Sequence, residues 1–474
     1  MNTLKQFYIG GAWVEPLDGA TPLQRVDPVT EEPAGYLAMG ASADADRAVS
    51  AARAAFPAWS ATSRETRITL LERIAGIYQT RLEDMAQAVR KEIGAPITLA
   101  RTLQAPLGLA HLNAAIDTLR NFAFSTDHGR SVVVREPIGV AALITPWNWP
   151  LNQIMAKVAP ALAAGCTVVL KPSEIAPLDA IMLAEVMHEA DTPPGVFNMI
   201  FGEGSVVGAR LASHPSVDVV SITGSTRAGV EVAINAAPTV KRVTQELGGK
   251  SPLVILDDAD LKTAVATGVM QCMMNAGQTC IAPTRMLVPA GLYEQAVAIA
   301  AGVANAIAVG NPDDPATKLG PISNRSHYEK VQRMIQTGID EGARLVAGGP
   351  GRPQGIERGF FAKPTVFADV RNDMQIAREE IFGPVLSIIP YTSEAQAIEI
   401  ANDTEYGLAA YVASGDPARA QRVAARLRAG TVLINGASFD LAAPFGGYKR
   451  SGNGREFGAA GLAEFLECKS ITSA

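Results

Sequence analysis

Cysteine is scarce in this chain, and the spacing of its cysteines excludes the common metal and disulfide frameworks. The 474 residues include four cysteines, with no CxxC pair among them: Cys166, Cys272, Cys280 and Cys468. No run approaches the roughly 18 uninterrupted apolar residues of a membrane-spanning helix. We therefore expect no metal, no disulfide framework and no membrane partner, and we expect the thiols to stay free in a reducing compartment.

Long basic segments and a signal sequence are also missing. The formal net charge of -6, without a basic run, argues against a nucleic-acid partner. The first residues lack the charged and then apolar regions of a signal peptide, which predicts a cytoplasmic location. Hydrophobic residues make up 48% of the chain and charged residues 19%. A chain of this length and composition is expected to form two or more domains with sizeable cores.

The pattern of apolar residues predicts an α/β protein. From 42 to about 119 they recur at three and four positions, which predicts successive amphipathic helices. Short β-branched segments at 140–144, 166–170, 197–200 and 217–222 then alternate with helical ones. Such alternation produces crossover units and a parallel sheet. It restarts after Glu246, with strands at 253–256 and 284–288 around a helix at 261–274, so a second α/β domain is predicted from about residue 248.

Cys280 ends the segment Asn275-Ala-Gly-Gln-Thr-Cys280 and follows Glu246 by thirty-four residues. A cysteine attacks as its thiolate, so a catalytic cysteine needs a lowered pKa or a nearby base, and a glutamate can also activate the water that clears a covalent intermediate. These residues alone leave two interpretations open. The pair is either a nucleophile with its base, or a buried cysteine and a surface charge at a helix end.

Two glycine motifs compete for a phosphate-binding role. Gly202 to Gly208 approximates the dinucleotide fingerprint, but its third glycine comes one residue late. Gly224-Ser225-Thr226 follows the predicted strand at 217–222 and precedes a helical pattern. Backbone N–H groups at such a helix start suit a pyrophosphate, although an ordinary capped helix explains the local pattern equally well.

Polar residues also follow two other predicted strands, where open parallel sheets bind ligands. Lys171-Pro-Ser-Glu174 could hold ribose hydroxyls, and a carboxylate at Glu174 would repel a 2′-phosphate, which favours NAD over NADP. Asn148 lies between Trp147 and Trp149, and its amide could donate to a developing oxyanion. The alternative interpretation of Lys171-Pro-Ser-Glu174 is a plain loop, and that of the segment around Asn148 is an aromatic loop packed over the core.

Seven signatures occur together and in one order along nearly the whole chain. They are Trp147-Asn148 with Lys157, Lys171-Pro-Ser-Glu174, Gly224-Ser-Thr226, Glu246-Leu-Gly-Gly-Lys250, Gly277-Gln-Thr-Cys280, Glu380-Ile-Phe-Gly-Pro384 and Pro444-Phe-Gly-Gly-Tyr-Lys449. In this order they resemble the aldehyde dehydrogenase superfamily, in its non-acylating, NAD(P)-dependent form. Seven ordered signatures are far more specific than any single motif.

The resemblance implies a set of catalytic roles. Cys280 would attack an aldehyde carbonyl, and the Asn148 amide with the Cys280 backbone N–H would hold the oxyanion of the thiohemiacetal. After oxidation to a thioester, water activated by Glu246 would release a carboxylic acid. Lys157 corresponds to a lysine near the catalytic glutamate.

The resemblance also implies the binding residues. NAD, with NADP less favoured, would contact Trp147, Lys171, Ser173, Glu174, Gly204, Gly224, Ser225, Leu247, Glu380 and Phe382. The substrate pocket would include Trp149, Gln153, Ala156, Met274, Thr279, Ile281 and Phe439. Arginines that match the carboxylate-binding pattern of semialdehyde branches are not evident, so the identity of the aldehyde stays open.

The family architecture implies three parts. A Rossmann-like cofactor domain would span 1–247, interrupted by a β-ribbon at about 128–138, and a catalytic α/β domain would span 248–440. The ribbon, with Val132 to Val134 as an edge strand, would join 462–474 in a small β oligomerisation element. Its C-terminal strand around 468–471 would pair with a neighbouring subunit, giving a homodimer or homotetramer.

Three alternatives were weighed against aldehyde oxidation. Acyl transfer to coenzyme A is disfavoured because the acylating branch usually lacks the general base, and Glu246 is present. A thiol esterase would use Cys280 without a cofactor. Because the nucleotide-binding signatures are present, esterase activity is expected to be a side activity at most. A non-catalytic homologue is disfavoured because Cys280, Glu246 and Asn148 are all intact.

Overall fold

The structure, a computed structural model, describes residues 3–17 and 22–473. Its strands are β1 (Thr3–Leu4), β2 (Phe7–Ile9), β3 (Ala12–Val14), β4 (Leu23–Val26), β5 (Pro33–Leu37), β6 (Ser125–His128), β7 (Ser131–Pro137), β8 (Val140–Ile144), β9 (Thr167–Lys171), β10 (Phe197–Met199), β11 (Val219–Thr223), β12 (Arg242–Glu246), β13 (Pro252–Ile255), β14 (Arg285–Pro289), β15 (Arg344–Ala347), β16 (Thr365–Ala368), β17 (Val385–Tyr391), β18 (Ala409–Ala413), β19 (Thr431–Ile434), β20 (Gly452–Asn453) and β21 (Leu466–Thr472).

Helices connect most of these strands. They are α1 (Ser42–Ser60), α2 (Arg64–Thr80), α3 (Leu82–Ile93), α4 (Ile97–Leu99), α5 (Ala105–Asn121), α6 (Pro150–Ala164), α7 (Leu178–Glu189), α8 (Ala209–Ser213), α9 (Thr226–Ala236), α10 (Leu261–Met273), α11 (Tyr293–Ala306), α12 (Arg325–Asp340), α13 (Gln375–Arg378), α14 (Glu394–Asn402), α15 (Pro417–Ala424) and α16 (Gly458–Ala463). The helices predicted between 42 and 119 are confirmed as α1 to α5. None of the described helices combines the length and the apolar character needed to cross a membrane.

The first large sheet has the order β20-β12-β11-β8-β9-β10-β2-β3. Its five central strands, β12 to β10 in that order, run parallel. β8, β9 and β11 are buried along their whole length, as expected of strands covered by helices on both faces. The predicted parallel sheet is confirmed, and the carboxyl ends of its strands meet at one edge.

The second large sheet has the order β15-β16-β17-β14-β13-β18-β19, and only β15 of its strands is antiparallel to its neighbour. Separate apolar clusters cover its two faces. Strands change from the first sheet to the second between Glu246 and Pro252. The chain returns to the first sheet through β20, which pairs with β12 beside Glu246, so the C-terminal segment packs against the first unit. The domain limits at 247 and 440 stay a prediction.

The small sheet predicted for oligomerisation differs from expectation in two respects. Its order is β21-β7-β6, so Val132 to Val134 lie in a central strand and the edge-strand prediction is wrong. The C-terminal strand β21 pairs antiparallel with β7 of the same chain, from Leu466 opposite Pro137 to Thr472 opposite Ser131. The ribbon and the C-terminal strand do join in one sheet, and the pairing with a neighbouring subunit stays a prediction, because sequence patterns do not distinguish a partner in the same chain from an equivalent strand in a second copy.

Candidate active site

A strained turn places Cys280 at the mouth of a cavity. After α10 the backbone of Asn275, Ala276 and Gly277 is left-handed, with φ of 55°, 55° and 70°. At Gly277 a Cβ atom would come within 2.1 Å of the Gly383 carbonyl oxygen, so both the φ angle and the close approach require glycine. Cys280 is partly exposed and lines a cavity of about 400 Å³. Non-glycine residues held in this region of φ are typical of functional sites.

Hydrogen bonds join this turn to the loop that carries Asn148. The Asn148 side chain, buried at 3% exposure, donates from Nδ2 to the Gln278 carbonyl at 2.9 Å. In return, Asn275 donates from Nδ2 to the Asn148 carbonyl at 2.8 Å, and Gln104 donates to the same carbonyl at 3.2 Å. The amide of Asn148 is therefore held in position relative to the backbone that leads to Cys280.

Glu246 ends β12 as a buried carboxylate. Its side chain is 5% exposed, and neither carboxylate oxygen has a hydrogen-bond partner among the described residues. Burial, together with the negative charge of Glu456, raises the pKa of Glu246 well above its ordinary value, against the opposing charges of Lys157 and Arg455. A carboxyl group with a raised pKa and free lone pairs is suited to accept a proton from water.

Lys157 lies beneath this carboxylate, where it forms a buried ion pair with Glu456. Lys157 is on α6, and Glu456 is held by two backbone hydrogen bonds with Phe445, of 2.9 and 2.7 Å. Glu456 was missed in the sequence because an acid in a Gly- and Arg-rich segment is more typical of the surface. Glu456 reaches Lys157 only because the chain returns to the first sheet through β20.

The surroundings of Cys280 favour the neutral thiol over the thiolate. Burial raises the pKa of Cys280, and the negative charges of Glu246, Glu380 and Glu456 raise it further. A neutral thiol is a weak nucleophile, so attack on a carbonyl requires a base that takes its proton.

The proposed nucleotide residues follow the carboxyl ends of β9 and β11. Lys171 Nζ contacts the Pro172 carbonyl at 3.2 Å and the Glu174 carboxylate at 3.3 Å. Ser173 accepts from the Ile175 N–H at 3.2 Å. These groups lie where open parallel sheets bind ligands.

The start of α9 supplies a second polar surface. Ser225 is its N-cap, with the hydroxyl accepting from the Ala228 N–H at 3.2 Å. Around Gly224 a Cβ atom would meet nothing nearer than 3.9 Å, so the helix start is open to a ligand. Leu247 packs against Gly229, where a Cβ would approach within 2.6 Å. Gly204 is exposed at the start of the π-helical turn Gly204–Gly208.

An aromatic cluster lies beside Glu380. The rings of Trp147, His327 and Phe382 have pairwise centroid distances of 5.6 to 5.7 Å. The Glu380 carboxylate accepts from the Gly249 N–H at 2.9 Å. The sequence prediction included Trp147, Glu380 and Phe382 but missed His327.

Two side chains of α12 bind the backbone of this segment. His327 Nε2 lies 2.6 Å from the Phe382 carbonyl, and Lys330 donates to the Glu380 carbonyl at 2.8 Å. Burial lowers the pKa of His327 to about 4, so the ring is neutral at pH 7 and Nε2 carries the proton that it donates. His327 and Lys330 are three residues apart, a spacing that places two side chains on one face of a helix, and this was the one available signal for the pair.

Five of the predicted substrate residues line the cavity with Cys280: Trp149, Met274, Thr279, Ile281 and Phe439. Gln153 and Ala156 are buried and are not among the residues that line this cavity, so their place in the pocket stays a prediction. Asn152, one position before Gln153, does line it. α6 turns by about 100° per residue, so neighbouring positions face different sides of the helix.

Known proteins match this chain along almost its full length. The sequence model of the aldehyde dehydrogenase family matches residues 13–471. A Pseudomonas protein described as 3-succinoylsemialdehyde-pyridine dehydrogenase is 54% identical over 472 residues, which cover 99% of each chain. A putative aldehyde dehydrogenase of Staphylococcus saprophyticus is 46% identical over 471 residues, again 99% of each chain.

Solved structures are equally similar. A mutant of aldehyde dehydrogenase C from Pseudomonas syringae, in complex with NAD+ and octanal, has a TM-score of 0.98 and 54% identity, covering 99% of this chain and 96% of that one. A Mycobacterium tuberculosis aldehyde dehydrogenase complexed with NAD+ has a TM-score of 0.97 and 41% identity, covering 100% and 98%.

Proposed function

Because the chain belongs to the aldehyde dehydrogenase family, we propose that it oxidises a small-molecule aldehyde to the carboxylic acid through Cys280. The predicted family, fold class and NAD-dependent enzyme class are confirmed. The observation that carries the proposal is the hydrogen bond that anchors the Asn148 amide to the backbone two residues before Cys280. The buried, unpartnered carboxylate of Glu246 supports it.

The first step is addition of the Cys280 sulfur to the aldehyde carbon. The thiol proton leaves to a base, and the carbonyl π electrons move to the oxygen, which becomes an alkoxide. Asn148 has two N–H donors, and the one not bound to Gln278 can stabilise this oxyanion with the Cys280 backbone N–H. NAD, when bound, accepts the hydride from the tetrahedral carbon.

The second step is hydrolysis of the Cys280 thioester. Glu246 in its ionised form takes a proton from water, and the resulting hydroxide adds to the acyl carbon. The carbon–sulfur bond then breaks, which releases the carboxylic acid and returns the thiolate to Cys280. A buried carboxylate without a protein partner supports this role for Glu246.

The residues at the strand ends fit NAD. Lys171 and Glu174 would contact the adenosine ribose, the open start of α9 at Gly224 and Ser225 would hold the pyrophosphate, and Glu380 would contact the second ribose. Glu174 remains partly exposed, so its carboxylate can meet a 2′-hydroxyl and repel a 2′-phosphate.

The test is to follow absorbance of reduced cofactor with NAD and an aldehyde panel of propanal, octanal, benzaldehyde and succinic semialdehyde. We expect turnover by the native enzyme and by Cys468→Ala, since Cys468 is exposed on β21, but none by Cys280→Ala. No reduction of NAD with any aldehyde would reject the proposal, as would a fully active Cys280→Ala enzyme.

We further infer a cytoplasmic homodimer or homotetramer. All four cysteines are unpaired, as in a reducing compartment. β21 is an edge strand with six consecutive exposed residues, which supports pairing with a second copy. Analytical ultracentrifugation would detect the assembly, and Ile471→Pro at this edge should weaken it. A monomer at all concentrations would contradict the inference.

A further inference from the structure

The cavity above the Cys280 thiol is predominantly apolar. Its wall contains no Lys, Arg, Asp or Glu among the described residues. Aliphatic and aromatic side chains supply most of it, including Leu103, Leu107, Leu441, Phe445 and Phe457. Its volume of about 400 Å³ lies in the range of sites that hold small organic molecules.

The electrostatic environment disfavours an anionic tail. Three carboxylates, Glu246, Glu380 and Glu456, all act on the Cys280 thiol, and each raises its pKa. An anionic tail in the cavity would find no cationic side chain in the described wall to compensate its charge. Burial of an uncompensated charge is costly. An uncharged substrate is therefore favoured.

Most polar side chains of the cavity wall are already hydrogen-bonded. Asn152 Oδ1 lies 2.7 Å from His111 Nε2, and Thr279 Oγ1 accepts from Trp149 Nε1 at 3.0 Å. Gln271 differs from these residues. Within the described part of the chain its amide makes no hydrogen bond, and the side chain is half-buried on α10.

Gln271 also lies where three cavities meet. It lines the Cys280 cavity, a second cavity of about 510 Å³ and a third of about 280 Å³. Met274 is shared by the first two. A substrate tail that extends from the Cys280 cavity past Met274 would meet the amide of Gln271, which borders the second cavity as well, unlike the free Nδ2 of Asn152.

On the basis of the proposed aldehyde oxidation, we propose that this enzyme selects aldehydes with a long, uncharged, mainly apolar tail that carries a hydrogen-bonding group, and that Gln271 binds this group. A carbonyl or an aromatic ring nitrogen would accept from Gln271 Nε2. Gln271 is in this sense a specificity-determining residue. It does not take part in the chemistry at the thiol.

The test compares three probes that share one butanal chain and differ in the ring at its end: phenylbutanal, pyridylbutanal and carboxyphenylbutanal. The first two differ by one ring nitrogen, so the ratio of their kcat/KM values isolates the hydrogen bond. We expect the native enzyme to prefer pyridylbutanal by about threefold to tenfold, as one hydrogen bond implies. Carboxyphenylbutanal should be the poorest of the three.

Two variants of Gln271 make the test specific. In Gln271→Leu the preference for pyridylbutanal over phenylbutanal should vanish, and in Gln271→Lys the relative kcat/KM for carboxyphenylbutanal should rise. Ratios within one variant are insensitive to partial loss of folded enzyme, and thermal unfolding checks the fold. An unchanged pyridyl-to-phenyl ratio in Gln271→Leu, or an equally good carboxylated probe in the native enzyme, overturns the inference.

Propanal separates this inference from the proposed function. Its tail is too short to reach beyond the first cavity, so the native enzyme should oxidise it whatever the role of Gln271. Turnover of propanal without discrimination among the three long probes overturns the specificity assignment alone. No turnover of propanal or of any probe overturns the proposed oxidation and the inference with it.

Discussion

The side-chain amide of Asn148 donates a hydrogen bond of 2.9 Å to the backbone carbonyl of Gln278, two residues before Cys280. This bond uses one of the two N–H donors of the amide and fixes the direction of the other. It also links the loop after β8 to the turn after α10, which belong to different sheets. The proposed oxyanion donor and the proposed nucleophile are therefore positioned by one shared contact.

Replacing Asn148 with Ala removes both donors. We expect kcat to fall by about 100- to 1,000-fold, the usual effect of losing an oxyanion-hole donor. Steady-state kinetics with a short aldehyde measures the loss. Asn121→Ala, at an exposed asparagine on α5, is the control and should be as active as the native enzyme. A loss below tenfold in Asn148→Ala would exclude the proposed role.

Glu246→Gln retains the shape of the side chain but cannot take a proton from water. We expect one rapid burst of reduced cofactor per active site, followed by slow turnover, because the thioester forms and then accumulates. Stopped-flow absorbance measures the burst, and Glu231→Gln, exposed on α9, is the control. A variant that loses the burst as well would show that Glu246 acts earlier, as the base for the thiol.

The pH dependence of thioester hydrolysis should follow the ionisation of Glu246. Its pKa is raised, and only the ionised form is a base, so the rate should increase as pH rises through this raised pKa. Glu456→Gln removes a negative charge and should move the increase to lower pH. Lys157→Met removes a positive charge and should move it to higher pH. Pre-steady-state rates from pH 5 to 9 measure these shifts, and shifts in the same direction would contradict the assignment.

Glu174→Gln should narrow the preference for NAD over NADP. Loss of the carboxylate removes the repulsion of a 2′-phosphate, and the neutral glutamine amide remains to contact a 2′-hydroxyl. The ratio of kcat/KM for the two cofactors is the measurement, with Glu185→Gln on α7 as the control. If the ratio is the same in both variants, Glu174 has no part in cofactor choice.

His327 and Lys330 should act as positioning residues for the segment from Glu380 to Phe382. His327→Ala removes the donor to the Phe382 carbonyl, and Phe382 has a left-handed φ of 62° that this contact stabilises. We expect KM for NAD to rise more than KM for the aldehyde, and His327→Gln to restore part of the loss. An equal change in both KM values would indicate a general structural role.

The pattern of apolar residues was sufficient to predict the α/β fold class, because the periodicities of strands and helices are local properties of the sequence. The segment 140–144 was predicted and observed with the same limits, and 217–222 differs from β11 by one or two residues. Ordered motifs around Cys280, Glu246 and Asn148 were sufficient to indicate the family. Motif position alone does not give the face of α6 that a residue occupies, and on this helix Asn152 rather than Gln153 lines the Cys280 cavity.

The sequence by itself determined the family, the order of the catalytic residues and the choice of NAD, since each depends on residue types at fixed spacing. Only the tertiary structure decided which side chains meet. It brought Glu456 to Lys157 across 299 residues of the chain, placed Gln271 in the walls of three cavities and made β7 a central strand. Contacts between distant segments depend on packing in three dimensions, and a local pattern carries no record of its partner.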